Sequence, residues 1–114
     1  MNDEIETIFK DFKVDSVDIP IAFIFYKGKA NTFLTYASIA DNAALSGDDE
    51  VLQSIIEYDI DIFTKGNFLN ILKEVKKIMK INGWLWIGDS PDMYEEDTCF
   101  FHKTATFQKE RSVN

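Results

Sequence analysis

Three carboxylates occupy alternate positions in the stretch EYDIDIFTKGN, residues 57–67, and this spacing could serve three kinds of chemistry. Glu57, Asp59 and Asp61 could bind a cation, form a catalytic acid pair, or make the polar face of a strand. Alternate residues on a strand lie about 7 Å apart, whereas the ligands of one hard cation all lie about 2.0–2.6 Å from it. One strand therefore cannot close around an ion without ligands from a neighbouring strand.

A glycosidase reading of the same residues is compatible with the spacing, because paired catalytic carboxyl groups stand about 5–9.5 Å apart across a cleft. The sequence gives no sign of a sugar-binding cleft. Alternation of apolar and polar residues is typical of a strand with one buried and one wet face. We therefore expect Glu57, Asp59 and Asp61 to form a wet or interfacial sheet face, with no metal and no cofactor.

The chain has one histidine, His102, and one cysteine, Cys99. Nucleophilic catalysis needs a nucleophile, a base and an orienting group that converge, and no such set can be assembled around His102. We expect His102 to be structural or exposed, on a strand face shared with Phe100 and Thr104, and Cys99 to be a small buried hydrophobe. Because phosphate-binding glycine loops and zinc spacings are also missing, the sequence predicts a protein that is not an enzyme.

Two helices are predicted from apolar residues at helical spacing, one over residues 3–13 and one over residues 66–83. Asn2 or Asp3 could cap the first helix. Asn67 could cap the second, and Gly83 suits a left-handed stop. The second helix has an apolar stripe and exposes lysines around the rest of its surface.

Strand signals separate and flank these helices. Strands are predicted over residues 19–26, 32–39, 51–65, 84–87 and 98–108. The first two are expected to pair as a hairpin. Polar loops are predicted over 41–50 and 88–97, and the tail 109–114 is expected to fray.

These elements predict one α+β domain over residues 1–114, with a mostly antiparallel sheet of about five strands and two helices packed on one face. Residues 1–17 form the amino-terminal helix and a linker. On the long strand, Ile56, Tyr58, Ile60 and Ile62 should point toward the helices, because strand side chains alternate between faces.

The charge of the chain limits its partners. The formal net charge is −8 and the pI is about 4.5. An acidic surface repels phosphate, so we expect no specific nucleic acid, and basic or neutral proteins or copies of the same chain as partners. Apolar runs such as 21–25 are far shorter than the roughly 20 residues needed to span a bilayer, so no membrane association is expected. No signal peptide is evident, and a single cysteine fits a reducing compartment.

The charges are also unevenly distributed. Residues 41–61 contain seven acids and no base, whereas residues 66–82 contain four lysines and one acid, Glu74. Either these are two separately solvated surfaces, or the acidic surface of one copy meets the lysine face of the next in a head-to-tail contact that can close into a ring. The predicted intersubunit residues are Asp48, Asp49, Glu50, Glu57, Asp59, Asp61, Lys73, Lys76, Lys77 and Lys80.

Several stretches carry a resemblance to a known family: IPIAFIFYKGKANTFLTY, SGDDE, EYDIDIFTKGNFLNILKEVKKIMKINGW and SPDMYEEDTCFFHKTATF. Together they resemble the tail terminator or head–tail joining (tail completion) proteins of siphophages and prophages of Gram-positive bacteria. The resemblance runs from about Ile19 to Phe107, so residues 2–12 lie outside it.

The resemblance implies an α+β fold and a ring, typically a hexamer, at the head-proximal end of the tail tube. Such a ring stops tube polymerisation and docks the head connector, so the implied partners are other copies, the tube protein and the connector. The implied location is the virion, and the host cytoplasm during assembly. The loop containing Asp92, Met93, Tyr94, Glu95 and Glu96 is expected to contact a partner, and DNA could pass through an acidic ring.

A second reading is an immunity- or inhibitor-type protein that masks a basic partner, since the charge of −8 would steer association to a positive site. A small acid-dependent hydrolase is the third. Assembly into rings would favour the first reading, and a persistent monomer the second.

Overall fold

The computed structural model describes the backbone of residues 2–47 and 50–112, and the side chains of residues 2–39 and 54–110. Within the described backbone, two helices and eight strands follow one another. They are α1 (Asp3–Ile8), β1 (Lys13–Val14), β2 (Val17–Asp18), β3 (Ile21–Phe23), β4 (Thr32–Gly47), β5 (Glu50–Thr64), α2 (Leu69–Ile81), β6 (Leu85–Asp89), β7 (Met93–Glu95) and β8 (Phe100–Ser112).

The fold is α+β with a mostly antiparallel sheet, as the sequence predicts, but the sheet has six strands rather than about five. Five strands lie in the order β3–β4–β5–β8–β6, and β7 pairs with β8 on the same side as β6. β1 and β2 form a separate two-stranded hairpin. The segment predicted as a linker, up to residue 17, therefore contains strand residues of this hairpin.

β5 places alternate side chains on the two faces of the sheet. Ile56, Ile60 and Ile62 are buried, and Tyr58 packs against the same core. This confirms the predicted inward face. Ile60 pairs across the sheet with Tyr36 on β4 and Ala105 on β8, and both of these residues are fully buried in the same layer.

α2 covers this layer through an apolar stripe made of Ile71, Leu72, Val75 and Met79. It is shorter than the predicted span of 66–83. Before it, the Asn67 side chain accepts a hydrogen bond from the Leu69 N–H at 2.8 Å. After it, Gly83 has a φ of +89°, the left-handed conformation that glycine adopts without strain.

α1 is also shorter than predicted, but the residues after it still enter the core. The Asn2 side chain caps it by accepting from the Ile5 N–H at 3.0 Å. Ile5, Phe9 and Phe12 are buried. The helix is fixed to the sheet by Tyr36, whose hydroxyl accepts from the Asn2 N–H at 2.8 Å and donates to Glu6.

The predicted hairpin of strands 19–26 and 32–39 is wrong, because β3 pairs with β4 in parallel. β3 ends at Phe23, and Ile24 adopts a φ of +64°. The following residues bring the chain back alongside the start of β3, so that the Leu34 N–H donates to the Pro20 carbonyl at 2.8 Å. Instead of the tight turn that a hairpin needs, residues 24–31 form a longer return segment between the two strands.

Three segments predicted as loop or tail contain strand. β4 extends to Gly47 and β5 begins at Glu50, with Gly47 paired to Glu50, so most of the predicted loop 41–50 is a hairpin. β7 lies inside the predicted loop 88–97. β8 continues to Ser112, which pairs with Gln53, so residues 109–112 are paired rather than frayed.

The sheet is much longer than its helical layer. The sixteen residues of β4 span about 50 Å at 3.2–3.4 Å per residue, which matches the longest extent of the molecule, 52 Å. The thirteen residues of α2 span only about 20 Å. Lys109 of β8 donates hydrogen bonds to Glu4 and to the Asn82 carbonyl in the helical layer. Lys109 pairs with Ile56 of β5, so the helical layer reaches this level of the sheet. Beyond that level lies the hairpin arm, defined here as residues 42–47, 50–55 and 110–112.

Candidate functional site

The face of the sheet turned away from α2, called the open face here, carries the three carboxylates singled out in the sequence. Glu57, Asp59 and Asp61 all lie on it, because they alternate with the buried isoleucines of β5. Asp59 pairs across the sheet with Thr106, and Asp61 with Thr104. Two central strands therefore set acids beside hydroxyls.

The two aspartates are held by these neighbours. The Thr104 hydroxyl donates to Asp61 at 2.5 Å, and the Thr106 hydroxyl donates to Asp59 at 2.5 Å. His102 Nε2 lies 3.0 Å from the same Asp61 oxygen. The Asp61 and His102 side chains are only 23% and 21% exposed. The expected wet face is therefore half-buried, and its polar groups satisfy one another.

Burial of Asp59 raises the pKa of its carboxyl group above the ordinary value of 3.8. The negative charges of Asp61 and Glu57 act in the same direction, whereas the hydrogen bond from Thr106 opposes them. Like charges close together disfavour the ionised form. The ionised form of Asp59 is therefore disfavoured at this position of the face.

An aromatic row crosses the open face next to the carboxylates, and the sequence analysis missed it. Tyr26 stacks on Phe33 with ring centroids 4.4 Å apart, Phe33 on Phe63 at 4.9 Å, and Phe63 on His102 at 4.1 Å. Phe100 meets Phe33 edge-on at 5.3 Å. The signal was present in β5, because Phe63 continues the alternation that begins at Glu57. The His102 ring is thus held between Asp61 and Phe63, and it lies on the predicted face with Phe100 and Thr104.

The predicted lysine face lies on α2, on the other side of the sheet from the carboxylates. Lys76 is not free, because its ammonium lies 2.9 Å from Asp89 and 4.3 Å from the Trp86 ring centroid. Lys73, Lys77 and Lys80 are exposed and form no ion pair within the part of the chain whose side chains are described. Acids and lysines on opposite faces cannot meet within one chain, so their pairing remains a prediction about two copies.

The remaining predicted interface residues are Asp48, Asp49 and Glu50. Asp48 and Asp49 lie outside the described residues. Glu50 begins β5 by pairing with Gly47 in the backbone. The structure therefore places the backbone of Glu50 at the far end of the hairpin arm from Asp59 and Asp61.

The predicted partner-contacting segment, residues 92–96, is exposed throughout. Met93, Tyr94 and Glu95 form β7 on the edge of β8, and the Tyr94 ring lies 4.8 Å from the Phe101 ring. Asp92 is tied to Lys103 at 2.8 Å. The segment is thus a short edge strand and not the free loop that was predicted.

The prediction of a buried Cys99 is wrong. The last strand begins at Phe100, so Cys99 belongs to the preceding turn, where its φ is +63° and its thiol is exposed. Its N–H donates to the Glu95 carbonyl at 2.8 Å, which closes that turn.

Among residues 2–39 and 54–110, no group of three or more histidine, cysteine or acidic side chains is arranged to hold a metal ion. No helix in the described part of the chain is long and apolar enough to cross a membrane. A scan against protein-family models finds no match to this chain, and a search of curated proteins finds none either.

Proposed function

We propose that this protein is a tail terminator or head–tail joining protein: it forms a ring at the head-proximal end of a phage tail tube, stops tube polymerisation and docks the head connector. The observation that carries the proposal is the hairpin arm. A sheet normally buries at least one face against another layer, and an isolated two-stranded hairpin is at best marginally stable in water. Within the described chain, the arm extends past the helices that cover the rest of the sheet.

A neighbouring copy would supply the missing layer. Repeating one head-to-tail contact around a circle produces a closed ring with identical contacts throughout. The resemblance of residues 19–107 to tail terminators supports the same assembly, typically as a hexamer. The net charge of −8 suits a channel through which DNA passes without binding.

The proposed partners follow from this placement. Copies of the chain contact one another, and the tube protein and the head connector contact the two ends of the ring. The exposed segment 92–96 is proposed to face one of these two partners. The proposed location is the virion, after assembly in the host cytoplasm, and the protein acts without a catalytic step or a cofactor.

The test shortens the arm without touching the core. Replacing residues 44–53 by Asn-Gly joins Ala43 to its register partner Ser54 through a two-residue hairpin turn. The matched control, Asp48→Asn with Asp49→Gly, puts the same turn in an arm of full length. Native mass spectrometry measures assembly, and electron microscopy measures the lengths of tubes grown from the tail-tube protein with each variant.

We expect the control to form rings and to end tubes at a defined length. The shortened variant should unfold cooperatively with the same thermal midpoint as the control, but remain monomeric and leave tube length uncontrolled. A full-length protein that stays monomeric at every concentration, with and without tube protein, would contradict the proposal. It would favour the inhibitor reading, in which the acidic chain masks a basic partner.

A further inference from the structure

We propose that the ring closes face to back: the open face of one copy binds the outer side of α2 in the next copy. This inference rests on the proposed ring and names the two surfaces that form it. Each copy carries both surfaces on opposite sides of its sheet, so the contact is head-to-tail and repeats around the ring. The proposed ion pairs between the two copies are Asp61 with Lys73, Asp59 with Lys77, and Glu57 with Lys80.

The outer side of α2 carries three lysines in one line. Lys73, Lys77 and Lys80 follow one another at intervals of four and three residues, so they lie on one side of the helix, opposite its buried stripe. All three are exposed, and none forms an ion pair with the described side chains. Glu74, the one acid of α2, lines a groove beside the helix together with residues 10–13. The line of lysines therefore keeps its positive charge unneutralised within the described chain.

The three acids of β5 match this line of lysines in spacing. Alternate residues on a strand lie about 7 Å apart, so the Cα atoms of residues 57, 59 and 61 span about 13 Å. At a rise of 1.5 Å per residue, the helical residues 73, 77 and 80 span about 10 Å. The flexible four-carbon stem of lysine can make up the difference of about 3 Å. Three ion pairs can therefore form together without a change in either backbone.

The two surfaces also lie at the same level along the strands. The start of α2 is level with Ile62, because the Phe68 ring centroid lies 5.8 Å from the ammonium of Lys103, the strand partner of Ile62. The end of α2 is level with Ile56, whose strand partner donates to the carbonyl just after the helix at 3.3 Å. Rotation about an axis parallel to the strands keeps these levels and directions. The neighbour's helix then runs alongside residues 57–61 in the proposed order, and the hairpin arm beyond them is left for its own contact.

The open face has a depression in which a helix can lie beside the acids. On β8 this face carries the short side chains of Thr104 and Thr106, and Gly88 of β6, which pairs with Thr106, has no side chain. Asp59, the two threonines and residues 87–90 line the depression. Within each copy, α2 already contacts β6 and β8 on the other face of the sheet. The neighbour's α2 therefore reaches the depression by displacement along the normal of the sheet, without a shift across the strands.

Exposed apolar residues flank the charges on both surfaces. Leu69 and Ile81, the first and last residues of α2, are 60% and 73% exposed. On the open face, the aromatic row lies at the level of Phe63, and the exposed Leu85 lies in the row of Glu57. These two levels are about 20 Å apart at 3.3 Å per residue, and the ends of α2 are about 18 Å apart. The same contact therefore removes both apolar ends from water.

The hydrogen bonds within the open face do not prevent these ion pairs. An ionised carboxylate has about four lone-pair sites. Among the described side chains, Asp59 and Asp61 accept hydrogen bonds on Oδ1 alone, which leaves Oδ2 for a lysine, and Glu57 accepts none. Burial, with the charges of the neighbouring acids, raises the pKa of Asp59. A lysine beside this carboxylate favours its ionised form and so offsets that cost.

The experiment reverses the two charges of one proposed pair. The variants are Lys80→Glu on α2, Glu57→Lys on β5, and a third chain that carries both changes. Lys29→Glu and Glu96→Lys are the matched controls, because they make the same changes at exposed residues outside both surfaces. Sedimentation velocity and native mass spectrometry measure assembly, and thermal unfolding checks that each variant folds. Glu57→Gln replaces Glu57→Lys on its own if the latter does not fold.

Each single reversal should raise the dissociation constant of assembly about tenfold or more, which is about 1.4 kcal/mol per contact. Both controls should assemble like the wild type. The chain with both changes should assemble again, because its pair is restored with opposite signs. An equimolar mixture of the two single variants is the sharpest part. It should form rings in which the two variants alternate in a 1:1 ratio, since every contact then joins a positive and a negative charge.

Rings that form equally well in both single variants would overturn this contact but leave the proposed ring. If the mixture and the doubly changed chain assembled no better than the single variants, the contact would also be overturned, because the two charges would then not face each other between copies. A wild-type chain that stays monomeric with tube protein present would overturn the ring and the face-to-back contact together.

Discussion

On β5, alternate side chains enter two different environments. Ile60 and Ile62 on the helix side are fully buried among aliphatic and aromatic side chains. Asp59 and Asp61 on the open face are half-buried, and each accepts a hydrogen bond from a threonine of β8. One strand thus contributes to the stability of the domain through dehydration on one side and through mutual hydrogen bonding on the other.

The comparison teaches that an open sheet face need not be a freely solvated one. Its acids are ordered by the neighbouring strand, and its aromatic row protects apolar surface from water without a covering layer. The two faces should therefore respond very differently to substitution. Three changes test this difference, from the largest expected effect to the smallest.

Ile60→Asp should have the largest effect. Burial of an isoleucine contributes roughly 1.5–3 kcal/mol, and an unpaired carboxylate in the same place adds a further large penalty. Since domains of this size are stable by only about 5–15 kcal/mol, we expect the variant not to fold. Circular dichroism and urea unfolding measure the result. If Ile60→Asp were less damaging than Asp59→Asn, the assignment of the two faces would be wrong.

Tyr36→Phe should have an intermediate effect, because it removes the hydroxyl that joins α1 to the inner face. The loss of its hydrogen bonds to Glu6 and Asn2 should cost about 1–2 kcal/mol. Burial, then the hydrogen bond to Glu6, raises the pKa of Tyr36 from 10.0 to about 12. The unfolded phenol therefore ionises first, and the folded state loses stability as the pH rises from 10 toward 12.

Urea unfolding of wild type and Tyr36→Phe at a series of alkaline pH values measures this contribution. The difference in stability between the two proteins should be constant below pH 10 and should shrink above it. Tyr26→Phe is a control on the open face, because its hydroxyl accepts only from the Ala30 N–H at 3.2 Å among the described residues. If the free energies of unfolding of wild type and Tyr36→Phe differed by the same amount at every pH up to 12, the role of the buried phenol would be contradicted.

Asp59→Asn should have the smallest effect on the free energy of unfolding, and it should raise this free energy rather than lower it. The pKa of Asp59 is raised, so the folded state holds a proton more tightly than the unfolded state does. Its ionisation at neutral pH therefore lowers stability, and this cost disappears as the pH falls below the unfolded value of 3.8. Asparagine keeps an oxygen for the Thr106 hydroxyl without the charge.

We expect Asp59→Asn to be as stable as the wild type or slightly more stable at pH 7, by a few tenths of a kcal/mol for a surface-type change. The advantage should vanish near pH 3. Denaturant unfolding at both pH values measures it. A variant that is clearly less stable at pH 7 would show that the Asp59 charge stabilises the face, contrary to the direction of its pKa.

The repeat of apolar residues within single elements was enough to predict the most regular helix and the most regular strand. α2 and β5 could be predicted because their apolar residues repeat with helical and strand periods over many residues. The inward face of β5 followed directly. The ends of α1 and α2 could not be predicted as well, since apolar residues such as Phe12 continue the pattern after the helix has ended.

The errors concern pairing, which is not local. Residues 41–47 are poor in typical strand formers, yet they form strand because β5 lies beside them and satisfies their backbone groups. The parallel pairing of β3 with β4 depends on the left-handed conformation of Ile24, which no residue type in this stretch signals.

The candidate site was predicted only in part for the same reason. Alternation placed Asp59 and Asp61 on one face, but their partners Thr106 and Thr104 lie 47 and 43 positions away in the chain. The aromatic row joins three strands and a return segment. Neither arrangement can be read from spacing within one element.

The contact between Glu4 and Lys109 joins positions 105 residues apart, and it has a consequence for how the chain folds. During synthesis, Ile5 and Phe9 emerge long before β8, against which their helix is fixed. Until then these apolar side chains lack much of their binding surface, and closing such a long loop makes folding slow. We therefore expect the β4–β5 hairpin to form early and α1 to dock last, leaving a transient, aggregation-prone intermediate that a chaperone could bind.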